Sequence, residues 1–272
     1  PKERVITAPC FRERVLHHAI MNVCEPVFER RLIDDTFACR RGRGRLAALD
    51  RAARFASRFG YFLKLDVRKY FDSIPHDLLV ARLSRLIKDP RLQSLFGRII
   101  GCFRGELGRG LPIGSLTSQH LANLYLDDFD RFVKERRRVK GYVRYMDDMV
   151  LWSNSRQELS ELASESAVVM RRSLCLELKP VVVNRSSHGV DFLGCRVYEN
   201  RVSLSRRSRR RFSRKLRHLE SQLLHGDIDE LELQQRATAM LAFTRTPGVQ
   251  SWKFRSQVLQ QMPVSGHKAR TG

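Results

Sequence analysis

Carboxylates are scarce in this chain: 29 Asp and Glu stand against 51 Lys and Arg among 272 residues, a formal net charge of +22. That balance disfavours an acidic small molecule as the substrate and favours a polyanionic partner. Exposed lysines and arginines would give the same balance in many proteins, so charge only supports other signals. The six cysteines, Cys10, Cys24, Cys39, Cys102, Cys175 and Cys195, never fall at Cys-x-x-Cys spacing. This excludes a zinc-ribbon type of site and argues against a disulfide framework, which leaves reduced thiols in a cytosolic protein. No apolar run reaches the length of a membrane span and no signal peptide is visible, so no membrane partner is expected. Internal repeats and long low-complexity linkers are absent too. His17 and His18 have no ligand cluster around them and read as packing residues. At this length the chain can bury a substantial core in one or two domains. It opens at Pro1 without Met, and a preceding segment is expected.

What the sequence does have is a distinctive placement of its few acids. Gly141-Tyr142-Val143-Arg144-Tyr145-Met146-Asp147-Asp148-Met149-Val150-Leu151-Trp152 reads as strand, tight turn and strand, with two adjacent carboxylates at the tip. Oxyanions fixed side by side repel unless a hard cation lies between them, which points to magnesium. Magnesium on a strongly basic chain suggests phosphoryl transfer on nucleic acid. In Tyr61-Phe62-Leu63-Lys64-Leu65-Asp66-Val67, alternation puts Tyr61, Leu63, Leu65 and Val67 on one face and Phe62, Lys64 and Asp66 on the other. If this strand lies beside the hairpin, Asp66 and Asp147 can ligate the same ions. A surface Asp in a strand and an Asp-Asp turn are each common alone; both together, in this order, are not.

In these motifs the chain resembles the reverse transcriptases, whose palm carries a strand-borne Asp followed later by Tyr-Met-Asp-Asp. Arg4-Val5-Ile6 with Phe11 to Ala19 looks like the start of the fingers in bacterial members. Asp66 to Pro75, Gly110 to Gln119, the Tyr145 hairpin and Phe192-Leu193-Gly194 follow in the family's order. The resemblance implies an α+β right-hand polymerase with an antiparallel palm sheet, helical fingers and a helical thumb. Fingers would occupy 1–60, N-terminally incomplete and joined by helices within 82–109; the palm would occupy 61–199 and the thumb 200–272. It also implies RNA-templated DNA synthesis from deoxynucleoside triphosphates onto a primer 3′-hydroxyl, with two Mg2+ ions for which Mn2+ can substitute. Expected partners are a template RNA, a DNA or RNA primer and a small basic accessory protein, in the cytoplasm of a bacterium or encoded by a phage.

Site roles follow from the same resemblance. Asp66, Asp147 and Asp148 are the expected catalytic residues and, with Val67, the metal site. Lys2, Arg4, Phe71, Ile113 and Gly114 are expected at the incoming nucleotide, with the Phe71 ring under the sugar where it excludes a 2′-hydroxyl. Phe192, Leu193 and Gly194 would grip the primer end. Arg40, Arg41, Arg43, Gln119, Arg207, Arg210, Arg211 and Arg214 are candidate nucleic-acid contacts. Lys179 is a candidate for protonating pyrophosphate, although the family's lysine lies a few residues further on, where this chain has Val181-Val182-Val183. Most relatives carry Gln-Gly and end Ser-Pro where this chain has Ile113-Gly114 and Ser118-Gln119. That departure is similar to the enzymes of diversity-generating retroelements, which copy with errors at adenines. The alternatives are a group II intron-like enzyme, a retron or defence enzyme, and a non-enzymatic RNA-binding scaffold, against which the intact aspartates argue.

Local signals complete the reading. Apolar spacing predicts a helix from Phe11 to Arg30, broken or restarted at Pro26. Residues 38–45 form a Gly- and Arg-rich loop suited to phosphate. Ser73 is expected to cap a helix begun by Pro75, and one helix should run from Leu121 to Val133. Past Asn200, arginines crowd a helix whose apolar side is Phe212, Leu216, Leu219 and Leu223. Gly226-Asp227 ends it, a second helix reaches about Ala242, and 265–272 reads as an unstructured tail.

Overall fold

Alternation around Asp66 is realised as strand β1 (Tyr61–Asp66), which is buried on both faces. Leu63, Leu65 and the following Val67 enter one core, and Phe62 enters another. The computed structural model describes residues 9–102 and 108–244; Lys2, Arg4 and the tail at 265–272 lie outside them. Strand β1 is an inner member of a four-stranded antiparallel sheet with β2 (Gly141–Tyr145), β3 (Asp148–Ser153) and β4 (Val182–Arg185), in the order β2-β3-β1-β4. Gly141 pairs with Trp152, where a Cβ would stand 2.8 Å from that residue's Cβ and 3.1 Å from the Phe59 ring. Only glycine lets β2 close over the indole there.

Helices cover the Leu63 face. Helix α1 (Phe11–Arg31) runs unbroken through Pro26, contrary to the expected break. A proline removes one backbone bond, and Met21, Cys24 and Phe28 anchor the helix in the core on both sides of it. On the opposite sheet face lies α2 (Arg45–Arg58), which buries Ala48, Leu49, Ala52, Phe55 and Ala56. After β1 come the single turn α3 (Tyr70–Ser73), α4 (His76–Leu86) and α5 (Pro90–Gly101). Pro75, not Ser73, occupies the cap position of α4. The Ser73 hydroxyl instead donates back to the Arg68 and Lys69 carbonyls and closes α3.

The helix expected from Leu121 to Val133 is three pieces: α6 (Leu116–Tyr125), α7 (Asp127–Arg131) and a wide turn over Phe132–Arg136. The wide turn is closed by Arg137 N–H donating to the Phe132 carbonyl at 3.0 Å, and Phe132 and Val133 stay in the core. Helix α8 (Arg156–Leu174) follows β3, capped by Ser155. A second, three-stranded sheet then forms from β5 (Val190–Phe192), β6 (Cys195–Val197) and β7 (Val202–Leu204). The strands after α8 thus form a sheet of their own, spanning residues 190–204. Its Val190, Phe192, Val197 and Leu204 share a core with Phe62, Val143, Val150 and Trp152. Each such buried side chain contributes roughly 1.5–3 kcal/mol. Helices α9 (Arg206–Leu224) and α10 (Glu230–Thr244) complete the described chain, as the apolar spacing predicts. Among the described residues no helix is long and apolar enough to cross a membrane.

Candidate active site

The β2–β3 hairpin turns on Met146 and Asp147, with Met146 in the left-handed region at φ 58°. Asp148 opens β3 directly opposite Asp66 on β1. Strand pairing thus gathers Asp66, Asp147 and Asp148 at one end of the sheet, although Asp66 is some eighty positions earlier in the chain. Lys64, one pleat below Asp66 on the same face, donates to Asp148. Lys179 pairs with the Asp66 carboxylate and also holds its backbone, Lys179 N–H donating to the Asp66 carbonyl at 2.8 Å. The Lys64 side chain is 18 % exposed, and its Nζ lies 5.0 Å from the centre of the Phe192 ring. Burial pulls the Lys64 ammonium down to about 7, while the carboxylates of Asp66, Asp147 and Asp191 act in the opposite sense.

Among the described residues, no three His, Cys, Asp or Glu side chains close on a common point. The donors at the hairpin are nevertheless carboxylate oxygens only, which suits a hard divalent cation. Asp66 and Asp147 would hold it with Asp148 alongside, in competition with two ammonium groups for the same oxygens. Val67, a further expected ligand, is buried and bridged to Leu178.

Beneath the hairpin lies a polar network that alternation alone did not single out. Arg144 is fully buried and donates to both Asp130 oxygens at 2.7 and 2.6 Å, to the Asn123 side chain at 2.8 Å and to the Asn123 carbonyl at 2.9 Å. It also reaches the Met146 carbonyl at 3.2 Å, in the turn itself. Tyr142 donates to Asp130 at 2.7 Å, and Asn123 to the Ala38 carbonyl at 2.8 Å. Burial raises the Asp130 pKa and the Arg144 guanidinium opposes that shift. The available signal was an arginine inside an otherwise apolar strand: such a charge needs a buried partner.

Two loops flank the hairpin. Phe71 is half-buried against the main core, edge-on to Tyr70 with ring centres 5.8 Å apart. Its carbonyl accepts Leu111 N–H at 2.8 Å, which ties it to the loop carrying Ile113 and Gly114. Gly114 has φ 116°, a conformation that side chains rarely adopt. The loop enters α6 through buried Ser115, and His17 of α1 meets Thr117 at 2.7 Å. His17 is thus a packing residue, as read from its isolation. On the other flank the β5–β6 turn uses Leu193 and Gly194, both at positive φ (49° and 78°), the pattern of a two-residue I′ hairpin. Arg45 Nε donates to the Leu193 carbonyl at 3.0 Å and joins α2 to this turn. Phe192 is buried in the second core.

A sequence profile of the reverse transcriptase (RNA-dependent DNA polymerase) family matches residues 1–197. The chain belongs to this family. Among curated relatives, Protein YkfC of Escherichia coli is 29 % identical over 168 residues, 57 % of this chain and 43 % of that protein. The group II intron-encoded protein LtrA of Lactococcus lactis is 27 % identical over 138 residues, 48 % of this chain and 23 % of that protein. The matched segments thus span less than half the length of either relative. Of solved structures, apo telomerase from Candida tropicalis truncated from its C-terminal domain superposes with TM-score 0.52 at 12 % identity, covering 71 % of this chain and 44 % of that one. Telomerase from the same organism with a fragment of telomeric RNA superposes with TM-score 0.51 at 10 % identity, covering 89 % and 46 %. These likenesses establish a shared α+β polymerase fold.

The arginines expected on nucleic acid divide within this reverse transcriptase fold. The Arg40 side chain is 3 % exposed, with its donors taken up by Glu29, the Ile33 and Thr36 carbonyls and the Thr36 hydroxyl. Five donors in a rigid fork suit a loop anchor as well as they suit phosphate. Arg43 pairs with Asp34 and lies over Phe37. Arg41 is 84 % exposed, 3.4 Å from Glu25. Gln119 accepts the Cys39 thiol at 3.4 Å, which closes the same loop onto α6. On α9, Arg207, Arg210, Arg211 and Arg214 are all exposed at spacings of three and four, one face of a helix whose other side buries Phe212, Leu216 and Leu219.

Proposed function

We propose that the protein synthesises DNA on an RNA template, adding deoxynucleotides to a primer 3′-hydroxyl. The observation that carries this reading is the register of Asp66 against Asp148 at the tip of the Asp147 hairpin. Two Mg2+ ions, with Mn2+ as a substitute, would supply activation of the hydroxyl and charge neutralisation at the departing pyrophosphate. Asp66 and Asp147 would hold those cations; Asp148 is steadied by Lys64, and the Arg144 network fixes the turn beneath them. Lys179, which pairs with Asp66, serves in this reading as the proton donor to pyrophosphate. Phe71 excludes the ribose 2′-hydroxyl, Ile113 and Gly114 face the new base pair, and the Leu193-Gly194 turn holds the primer end. The exposed face of α9 follows the duplex backbone, which is bound by charge and without regard to sequence.

Ile113-Gly114 and Ser118-Gln119 support error-prone copying of a retroelement RNA, with a small basic protein as partner and the cytoplasm as setting. A group II intron-like role is the second reading, favoured by the similarity to LtrA. The experiment is primer extension by Asp66→Asn and Asp147→Asn: each should abolish synthesis and leave template-primer binding intact. Near-normal extension by either would sink the assignment.

A further inference from the structure

The palm sheet has a second end, and its charge is unlike the first. Strand register brings four chain segments together there. Tyr61 pairs with both Ser153 and Arg185, and Gly141 with Trp152. The residues just outside those pairs therefore form one rim: 57–60 before β1, 136–140 before β2, 154–157 after β3 and 185–188 at the end of β4. Gly60 N–H donates to the Asn154 side chain at 2.9 Å, and Ser186 N–H to the Gly60 carbonyl at 2.9 Å, so the rim is stitched and not merely adjacent.

None of these four segments contains a carboxylate. Arg58, Arg136, Arg138, Lys140, Arg156 and Arg185 are all exposed, and none forms an ion pair with a described carboxylate. The neighbouring acids already have partners other than these six: Glu165 pairs with Arg137 of the rim and Glu158 takes the Ser153 hydroxyl at its edge, while Asp50 pairs with Arg54 and Glu135 with Arg131. Four strand ends span about 14 Å, far more than a single anion needs. The rim also carries none of the large exposed apolar side chains found elsewhere on the described surface. Protein interfaces are anchored by such groups, so the chemistry favours a phosphate backbone over a polypeptide. The rim lies about 17 Å along the strands from the carboxylates, at the end of the sheet away from the template-primer end.

We infer that this rim is a second nucleic-acid surface, which holds a folded RNA segment outside the copied duplex. It rests on the proposed polymerase reading for the position of the copied duplex and for the identity of that RNA as part of the template-bearing transcript.

The test uses the full chain and two probes: a short RNA–DNA template-primer, and the same template-primer with a folded RNA hairpin appended to the template. In the variant, the six rim residues become Gln. A control of equal charge replaces Arg85, Lys88, Arg91, Arg98, Arg171 and Arg172 instead. The rim variant should lose the extra affinity conferred by the hairpin, by more than roughly tenfold, and its salt slope on that probe should fall by roughly 3 to 5 units. Binding and extension of the short probe should stay as in the parent, and the control should keep the hairpin preference. Unchanged affinity for the hairpin probe would overturn the inference and leave the rim to an acidic protein. Equal losses on both probes, or in rim variant and control alike, would overturn it as well. Failure of the parent to extend any primer would count against the polymerase reading and leave the binding comparison intact.

Discussion

Arg144 offers the sharpest quantitative test, because its surroundings are complete. Arg144 and Asp130 are both fully buried, and the guanidinium meets both carboxylate oxygens, Asn123 and the turn carbonyl of Met146. Arg144→Met leaves the Asp130 carboxylate in the core with the Tyr142 hydroxyl, donating at 2.7 Å, as its remaining side-chain hydrogen bond among the described residues. Breaking a buried pair from one side costs about 3–5 kcal/mol, a fall in Tm of about 6–20 °C at this chain length. Asp130→Leu should cost a similar amount, since it strands the arginine. Removing both charges with Tyr142→Phe, which spares a stranded hydroxyl, should be far milder than the sum of the two single changes. Near-UV circular dichroism on heating gives the four midpoints of the cycle. Because Arg144 also holds the Met146 carbonyl, Arg144→Met should lower kcat for primer extension more than it raises KM. Additive losses in the combined variant would refute the reasoning: the pair would then not be coupled, and the network would not be what supports the hairpin.

Phe71→Ala should raise ribonucleotide incorporation relative to deoxynucleotide incorporation, read as the ratio of kcat/KM values; an unmoved ratio would make Phe71 a core residue only. Ile113→Gln restores an amide able to penalise misaligned pairs, so sequenced products should show fewer errors, above all opposite template adenine. Errors spread evenly over the four template bases, and unmoved by the substitution, would remove the retroelement subgroup and keep the polymerase. Burial on Thr117 lowers the pKa of His17 below its usual 6.5, against a smaller opposing pull from Glu13. The unfolded chain therefore takes up that proton first, so the stability is present above about pH 6.5 and lost as pH falls through the lowered folded value. Denaturant midpoints should decline across that window, less steeply in His17→Gln; parallel slopes would contradict the burial argument.

Period-two alternation and a two-residue turn were enough to place Asp66 and Asp147 at strand ends, because both patterns are local. The basic helix at Arg206–Leu224 was legible for the same reason: apolar positions at helical spacing leave one face to the arginines. What faces what was decided by tertiary structure. Nothing near Arg40 in the chain announces that Glu29 and the Ile33 carbonyl consume its donors, nor does anything near Lys64 announce Asp148, 84 positions away. Pro26 reads as a helix break until core packing on both sides holds the helix through it. The four basic segments at the far rim look like ordinary loops in the sequence. They become one surface only through strand register, which is fixed by the match of two buried faces and not by any segment alone.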